Sequence, residues 1–261
     1  MLRTRVIPCL LLRNESLVKT VKFGKFTYIG DPCNTVRIFN ELEVDELMFL
    51  DITASLEKRS PNIKLISDIA NECFMPLSYG GGIKSLEMAR TIFEIGVEKI
   101  VLNTQAIANP GLITEIANIY GSQSVVVSID VKKNLFGKHT IRSNAGKRNH
   151  DLGLIEWAKR VELLGAGEIL LTSIDREGTW AGYDAQLTRS VAESVSIPVI
   201  ANGGAGSVSD LKEAVFSGGA SAVALGSMVT FQKKGLGVLV SFPEKSELEG
   251  ALYGAANSDT Y

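Results

Sequence analysis

The chain has only two histidines, His139 and His150, and three cysteines, Cys9, Cys33 and Cys73, in 261 residues. Two histidines leave little material for a His-rich metal centre or a Ser/His/Asp triad. An odd cysteine count without CxxC spacing points away from a disulfide framework or a zinc site, and toward a reducing compartment such as the cytoplasm. No stretch reaches the roughly 20 apolar residues that a membrane helix needs. The apolar run near Met1 is too short for the hydrophobic region of a secretory signal. An excess of one charge sign is also missing, since 27 Lys and Arg face 29 Asp and Glu, a formal net charge of −2. That balance provides no overall drive toward nucleic acid or an anionic membrane, while leaving small anionic substrates open. No motif calls for a metal or another cofactor.

What is present is an ordinary globular composition, 45% hydrophobic and 21% charged, with enough chain for one α/β barrel of about 250 residues. Short runs rich in Val, Ile and Leu predict strands buried on both faces at 5–11, 46–51, 75–80, 99–103, 124–130, 168–172, 198–202 and 222–225. Amphipathic stretches lie between them. The stretches 85–96, 152–165 and 207–218 end in or beside glycine, and Ser85 and Ser207 are candidate N-caps. Eight alternating β/α units imply a parallel sheet with right-handed crossovers. An internal repeat favours closure. Gly81-Gly82-Ile83, a helix, and the strand ending Leu102-Asn103-Thr104 are echoed 122 to 123 residues later by Gly203-Gly204-Ala205, a helix, and Leu225-Gly226-Ser227. Two four-unit halves make one (β/α)8 barrel over residues 1–245, with a small, polar, partly disordered tail at 246–261.

Chemistry in such a barrel sits at the C-terminal ends of the strands. Two candidate phosphate sites fall there. One combines Gly81 and Gly82 with Asn103 and Thr104; the other combines Gly203 and Gly204 with Gly226 and Ser227, joined by Gly178. Glycine admits an anion to the backbone amides, and a hydroxyl adds a donor. Any one Gly-Gly pair could be a turn and nothing more, but the symmetric recurrence implies a bisphosphate. Thr172 and Glu177, at and beyond the sixth strand, and Lys19, expected on a mobile loop over the substrate, complete the substrate-facing set.

The segments 49–55 (FLDITAS), 79–83 (YGGGI), 121–130 (GSQSVVVSID), 165–175 (GAGEILLTSID) and 203–206 (GGAG) closely resemble the cyclase subunit of imidazole glycerol phosphate synthase, and the resemblance runs from about residue 1 to about residue 230. It implies a (β/α)8 fold and conversion of phosphoribulosyl-formimino-AICAR-phosphate to imidazole glycerol phosphate and AICAR. The ammonia would come from a glutaminase subunit docked on the N-terminal face of the barrel. It also matches Arg5, Glu46, Lys99 and Glu168 to a charged gate at the barrel base; from sequence alone two acids and two bases at these strand starts read as a buried salt-bridge ring, and a gate is favoured over a mere plug, which apolar residues would make at least as well. Of the family's pair of catalytic aspartates, Asp130 fits the second, while Leu11 stands where the first should be. Glu177 replaces the family's usual aspartate. Asp51 or Glu177 is the nearest acid that could stand in for the missing one. The family includes paralogues, often encoded with surface-polysaccharide (lipopolysaccharide) genes, that hand ammonia to a sugar-modifying amidotransferase. Loss of the acid at Leu11 is what such a paralogue would show.

Overall fold

The computed structural model describes residues 3–134 and 136–253. Its strands are β1 (Arg5–Arg13), β2 (Ser16–Thr20), β3 (Phe26–Gly30), β4 (Leu47–Asp51), β5 (Leu77–Gly80), β6 (Lys99–Leu102), β7 (Val125–Lys133), β8 (His139–Ser143), β9 (Arg148–His150), β10 (Glu168–Ser173), β11 (Val199–Asn202) and β12 (Ala222–Leu225). The helices are α1 (Pro32–Glu41), α2 (Ile63–Glu72), α3 (Leu86–Glu94), α4 (Thr104–Ala108), α5 (Gly111–Tyr120), α6 (Leu154–Leu163), α7 (Ala185–Ala192), α8 (Val208–Phe216), α9 (Ser227–Thr230) and α10 (Lys245–Leu252). Eight strands, β1, β4, β5, β6, β7, β10, β11 and β12, pair in parallel in that order, and β12 closes on β1. The fold is a (β/α)8 barrel.

Two apolar layers follow from the doubly buried strands. Residues such as Val6, Leu10, Phe49, Ile100 and Val127 face outward and pack on the helices, while Ile7, Cys9, Met48, Val101, Leu170 and Ile200 fill the barrel interior. Side chains alternate along each strand, so one strand serves both layers. The helix starts are chemically marked. Ser85 accepts from the Met88 amide at 3.3 Å, and Ser207 forms a reciprocal capping box with Asp210.

Two strands overrun the barrel. β1 continues past Leu11 to Arg13 and folds back antiparallel on β2, which pairs with β3; β7 continues past Asp130 to Lys133 and folds back on β8, which pairs with β9. Each half of the repeat therefore raises a hairpin at the mouth. Asn14, in the left-handed region at φ 56°, makes the first reversal, and Gly137 at φ 77° serves the second. These hairpins correct one expectation. Lys19 is not on a mobile loop; it lies within β2 and is buried.

The expected boundary between the barrel and a partly disordered tail at 246–261 is corrected. It begins inside α10, whose Leu248 and Leu252 are buried, and Tyr253 donates its hydroxyl to the Thr4 carbonyl at 3.0 Å. Residues 254–261 lie outside the described residues. No helix among the described residues is long and apolar enough to cross a membrane.

Candidate functional site

At the strand N-termini, four charged side chains alternate in a closed ring. Arg5 Nη1 lies 2.7 Å from Glu46 Oε2, Lys99 Nζ lies 2.8 Å from Glu46 Oε2 and 3.1 Å from Glu168 Oε1, and Arg5 Nη2 lies 3.1 Å from Glu168 Oε2. Ser78 adds a hydrogen bond to Glu46 Oε1 at 2.7 Å. Isolated charges in this place would be costly, and the alternation offsets each one. The contact of Arg5 with Glu168 is an ion pair without hydrogen-bond geometry, so Glu168 Oε2 has no hydrogen-bond partner.

Above the ring comes the apolar interior, then a cavity of about 520 Å³ at the opposite, C-terminal end of the strands. Cys9, Leu50, Val101 and Ala224 belong both to the interior cluster and to the cavity wall. Burial pushes the Cys9 thiol up to about 12, so it stays protonated and apolar.

Asp130, the proposed acid/base, lines the cavity from β7 and is buried. Burial raises its carboxyl to about 6; hydrogen bonds from Ser128 and Thr172 oppose the rise, and the charge of Glu177 adds to it. Ser128 donates to Asp130 Oδ1 at 3.1 Å and Asn103 Nδ2 to Oδ2 at 3.3 Å. A carboxyl near 6 can hold or release a proton close to neutrality. Leu11 lines the same cavity. The ladder fixes its place in the repeat: Leu11 pairs with Leu50 as Asp130 pairs with Thr172, so the rung that carries the acid in the second half is apolar in the first.

Neither acid considered as a stand-in is free. Asp51 accepts from the Thr53 and Ala54 amides at 3.1 and 3.0 Å and is gripped by Arg59 through two contacts of 2.8 Å. Glu177 is ion-paired with Lys19. In both, the two carboxyl oxygens already have partners.

Both glycine pairs line the cavity, as do Gly178, Gly226, Ser227, Asn103, Thr104 and Thr172. Gly81, at φ 122°, packs on the Asp51 carbonyl with no room for a side chain. The amides of Gly82, Gly204 and Gly226 meet no protein acceptor among the described hydrogen bonds, so they are available to a ligand. The two sites differ in their side chains. Asn103 turns onto β7, donating to the Ser128 carbonyl at 3.0 Å, and the Thr104 hydroxyl receives the Asn144 amide at 3.1 Å. Both are engaged in holding the second hairpin. The Asn202 amide, which the sequence did not single out, donates to the Thr172 hydroxyl at 3.1 Å; an asparagine at a strand end is a weak signal on its own. Among the described residues no group of three or more His, Cys, Asp or Glu side chains is gathered to hold a metal.

The family model described as "Histidine biosynthesis protein" matches residues 5–234. A Pseudomonas aeruginosa protein provisionally named imidazole glycerol phosphate synthase subunit hisF2 is 51% identical over 249 residues, 95% of this chain and 99% of that protein. Imidazole glycerol phosphate synthase subunit HisF of Methanococcus vannielii is 44% identical over 253 residues, covering 89% of this chain and 93% of the other. That of Alkaliphilus metalliredigens is 42% identical over 233 residues, covering 89% and 92%. With the family model spanning nearly the whole barrel and relatives of this identity matched almost end to end, the chain belongs to the histidine biosynthesis family.

Proposed function

We propose that the chain is the cyclase-type subunit of an imidazole glycerol phosphate synthase complex, receiving ammonia from a glutaminase subunit docked at the N-terminal face. The observation that carries this reading is the stacking of three layers on one axis: the ring of Arg5, Glu46, Lys99 and Glu168, the apolar interior, and the mouth cavity with Asp130. Ammonia entering at the ring crosses the apolar layer as neutral NH3, because an ammonium ion there would be unpaired. It meets the bisphosphate held by the free amides of the two glycine loops. Phosphoribulosyl-formimino-AICAR-phosphate and ammonia give imidazole glycerol phosphate, AICAR and one water, which carries off the carbonyl oxygen that the ammonia nitrogen replaces. Asp130 takes the proton released as the ring closes and returns it on cleavage, a cycle that one carboxyl near 6 can serve. In the purified complex, glutamine-dependent turnover should be lost in Asp130→Asn with glutaminase binding kept; an Asp130→Asn complex as active as wild type removes Asp130 from the mechanism.

One observation favours a second reading. With Leu11 apolar, Asp130 is the one carboxyl lining the mouth, among the described residues, that is not ion-paired, since Asp51 and Glu57 are held by Arg59 and Glu177 by Lys19. A barrel of this kind would conduct ammonia without closing a ring, passing it to a sugar-modifying amidotransferase of surface-polysaccharide synthesis. The two readings part on whether the bisphosphate is consumed.

A further inference from the structure

Glu177 is buried and makes more contacts than the proposed chemistry requires. Its Oε1 accepts from Lys19 Nζ and from the Thr20 hydroxyl at 3.0 Å, its Oε2 accepts from the Phe23 amide at 3.1 Å, and its carbonyl accepts from the Lys22 amide at 2.9 Å. This single residue, in the loop that follows β10, thus grips four of the five residues from 19 to 23, at a sequence separation of 158 from Lys19. Lys19 in turn lies against the second glycine loop. A Cβ built on Gly226 would stand 2.8 Å from Lys19 Cε, so any larger residue there would displace the side chain. An ammonium has three donors. One goes to Glu177 and one to the Thr20 carbonyl at 3.0 Å, leaving a third for the cavity.

We propose that Glu177 is a positioning residue that holds the Lys19 side chain against Gly226, making its ammonium the cationic wall of an anion site completed by the amides of Gly204 and Gly226. The proposal rests on the phosphate-binding reading of the mouth given above. Glutamate, one methylene longer than aspartate, spans to Lys19, Thr20 and the Phe23 amide together. The site takes a phosphate group carried on the substrate.

Electrostatics alone gives the opposite sign, and that makes the test sharp. A carboxylate beside an anion site repels the anion, so if Glu177 only neutralised Lys19, its removal would tighten binding. If Glu177 positions Lys19, its removal weakens binding. The full-length chain would be titrated with the bisphosphate and with inorganic phosphate, as wild type, Glu177→Gln, Glu177→Asp, Lys19→Met and the Lys19→Met/Glu177→Gln double variant. Amide hydrogen exchange at Lys22 and Phe23 and thermal midpoints would be followed alongside. The expected result is about tenfold or greater weakening in Glu177→Gln, appearing in KM rather than kcat where turnover is seen, with a smaller loss in Glu177→Asp. Exchange at Lys22 and Phe23 should speed up, and the double variant should bind no worse than Lys19→Met alone. Unchanged or tighter binding in a folded Glu177→Gln, or losses that simply add, would overturn the proposal. A wild-type chain that binds neither anion would overturn the reading of the mouth and the proposal with it, and the wild-type titration alone distinguishes that failure from one confined to Glu177.

Discussion

Replacing Lys99 with methionine takes one corner out of the charged ring while keeping most of its volume. Glu46 and Glu168 would lose contacts of 2.8 and 3.1 Å and would share Arg5 as their remaining cation. Glu46 keeps Arg5 at 2.7 Å and Ser78 at 2.7 Å, so the poorly compensated charge falls on Glu168, whose only other contact lacks hydrogen-bond geometry. Removing one partner of a buried pair typically costs about 3 kcal/mol or more. For a chain of this size that is a fall of roughly 6 to 12 °C in the thermal midpoint. Removing Lys99 and Glu168 together leaves the Arg5–Glu46 pair intact, and apolar replacement of a whole buried pair is close to neutral, about 1 kcal/mol or less. The Lys99→Met/Glu168→Met chain should therefore be more stable than Lys99→Met alone. Thermal unfolding of the wild type, Lys99→Met, Glu168→Met and the double variant at neutral pH decides this. A single variant within about 1 kcal/mol of wild type, or a double variant that costs the sum of the two singles, would refute the reasoning that the ring is a coupled buried network.

Asp130→Asn should stabilise the chain while abolishing its chemistry. The native carboxyl, raised from 3.8 to about 6, binds its proton more tightly than the unfolded chain does, so native stability falls as pH rises from about 4 to 6 and the loss persists above. The gain in the asparagine variant should be greatest above pH 6, about 3 kcal/mol at most, and smaller near pH 4; a gain that does not vary with pH in urea unfolding would contradict the assigned burial cost. Truncation before Lys245 removes the buried Leu248 and Leu252 and the Tyr253 bond to Thr4, and should cost about 3 kcal/mol or more of stability. An unchanged denaturation midpoint would mean that α10 contributes nothing to the fold.

The eight barrel strands were legible because each is buried on both faces, giving continuous apolar runs such as Ile169–Leu171 and Ala222–Leu225 that need no partner to be recognised. The mouth hairpins were not. Their residues, Ser16–Thr20 and His139–Ser143, are mixed in polarity, and β1 and β7 pass from barrel to hairpin with no break at Leu11 or Asp130. Lys19 was expected on a mobile loop over the substrate because the acid that buries it, Glu177, is distant in sequence. The glycine loops were legible by their repetition, whereas the engagement of Asn103 and Thr104 with the second hairpin depended on that hairpin being known. The tail looked disordered from its small polar end, and the spacing of Leu248 and Leu252, one helical turn apart, was the overlooked signal.

The account turns on whether this mouth closes a ring with Leu11 where an acid would be expected. The deciding measurement is ammonia-dependent turnover of the bisphosphate by the purified chain at high ammonium concentration, beside Leu11→Asp. The cyclase reading requires turnover by the wild-type chain, rising with pH through about 6 as Asp130 ionises. A silent wild-type chain that binds the bisphosphate, with activity appearing in Leu11→Asp, would contradict it and leave the barrel as a conduit that hands ammonia onward.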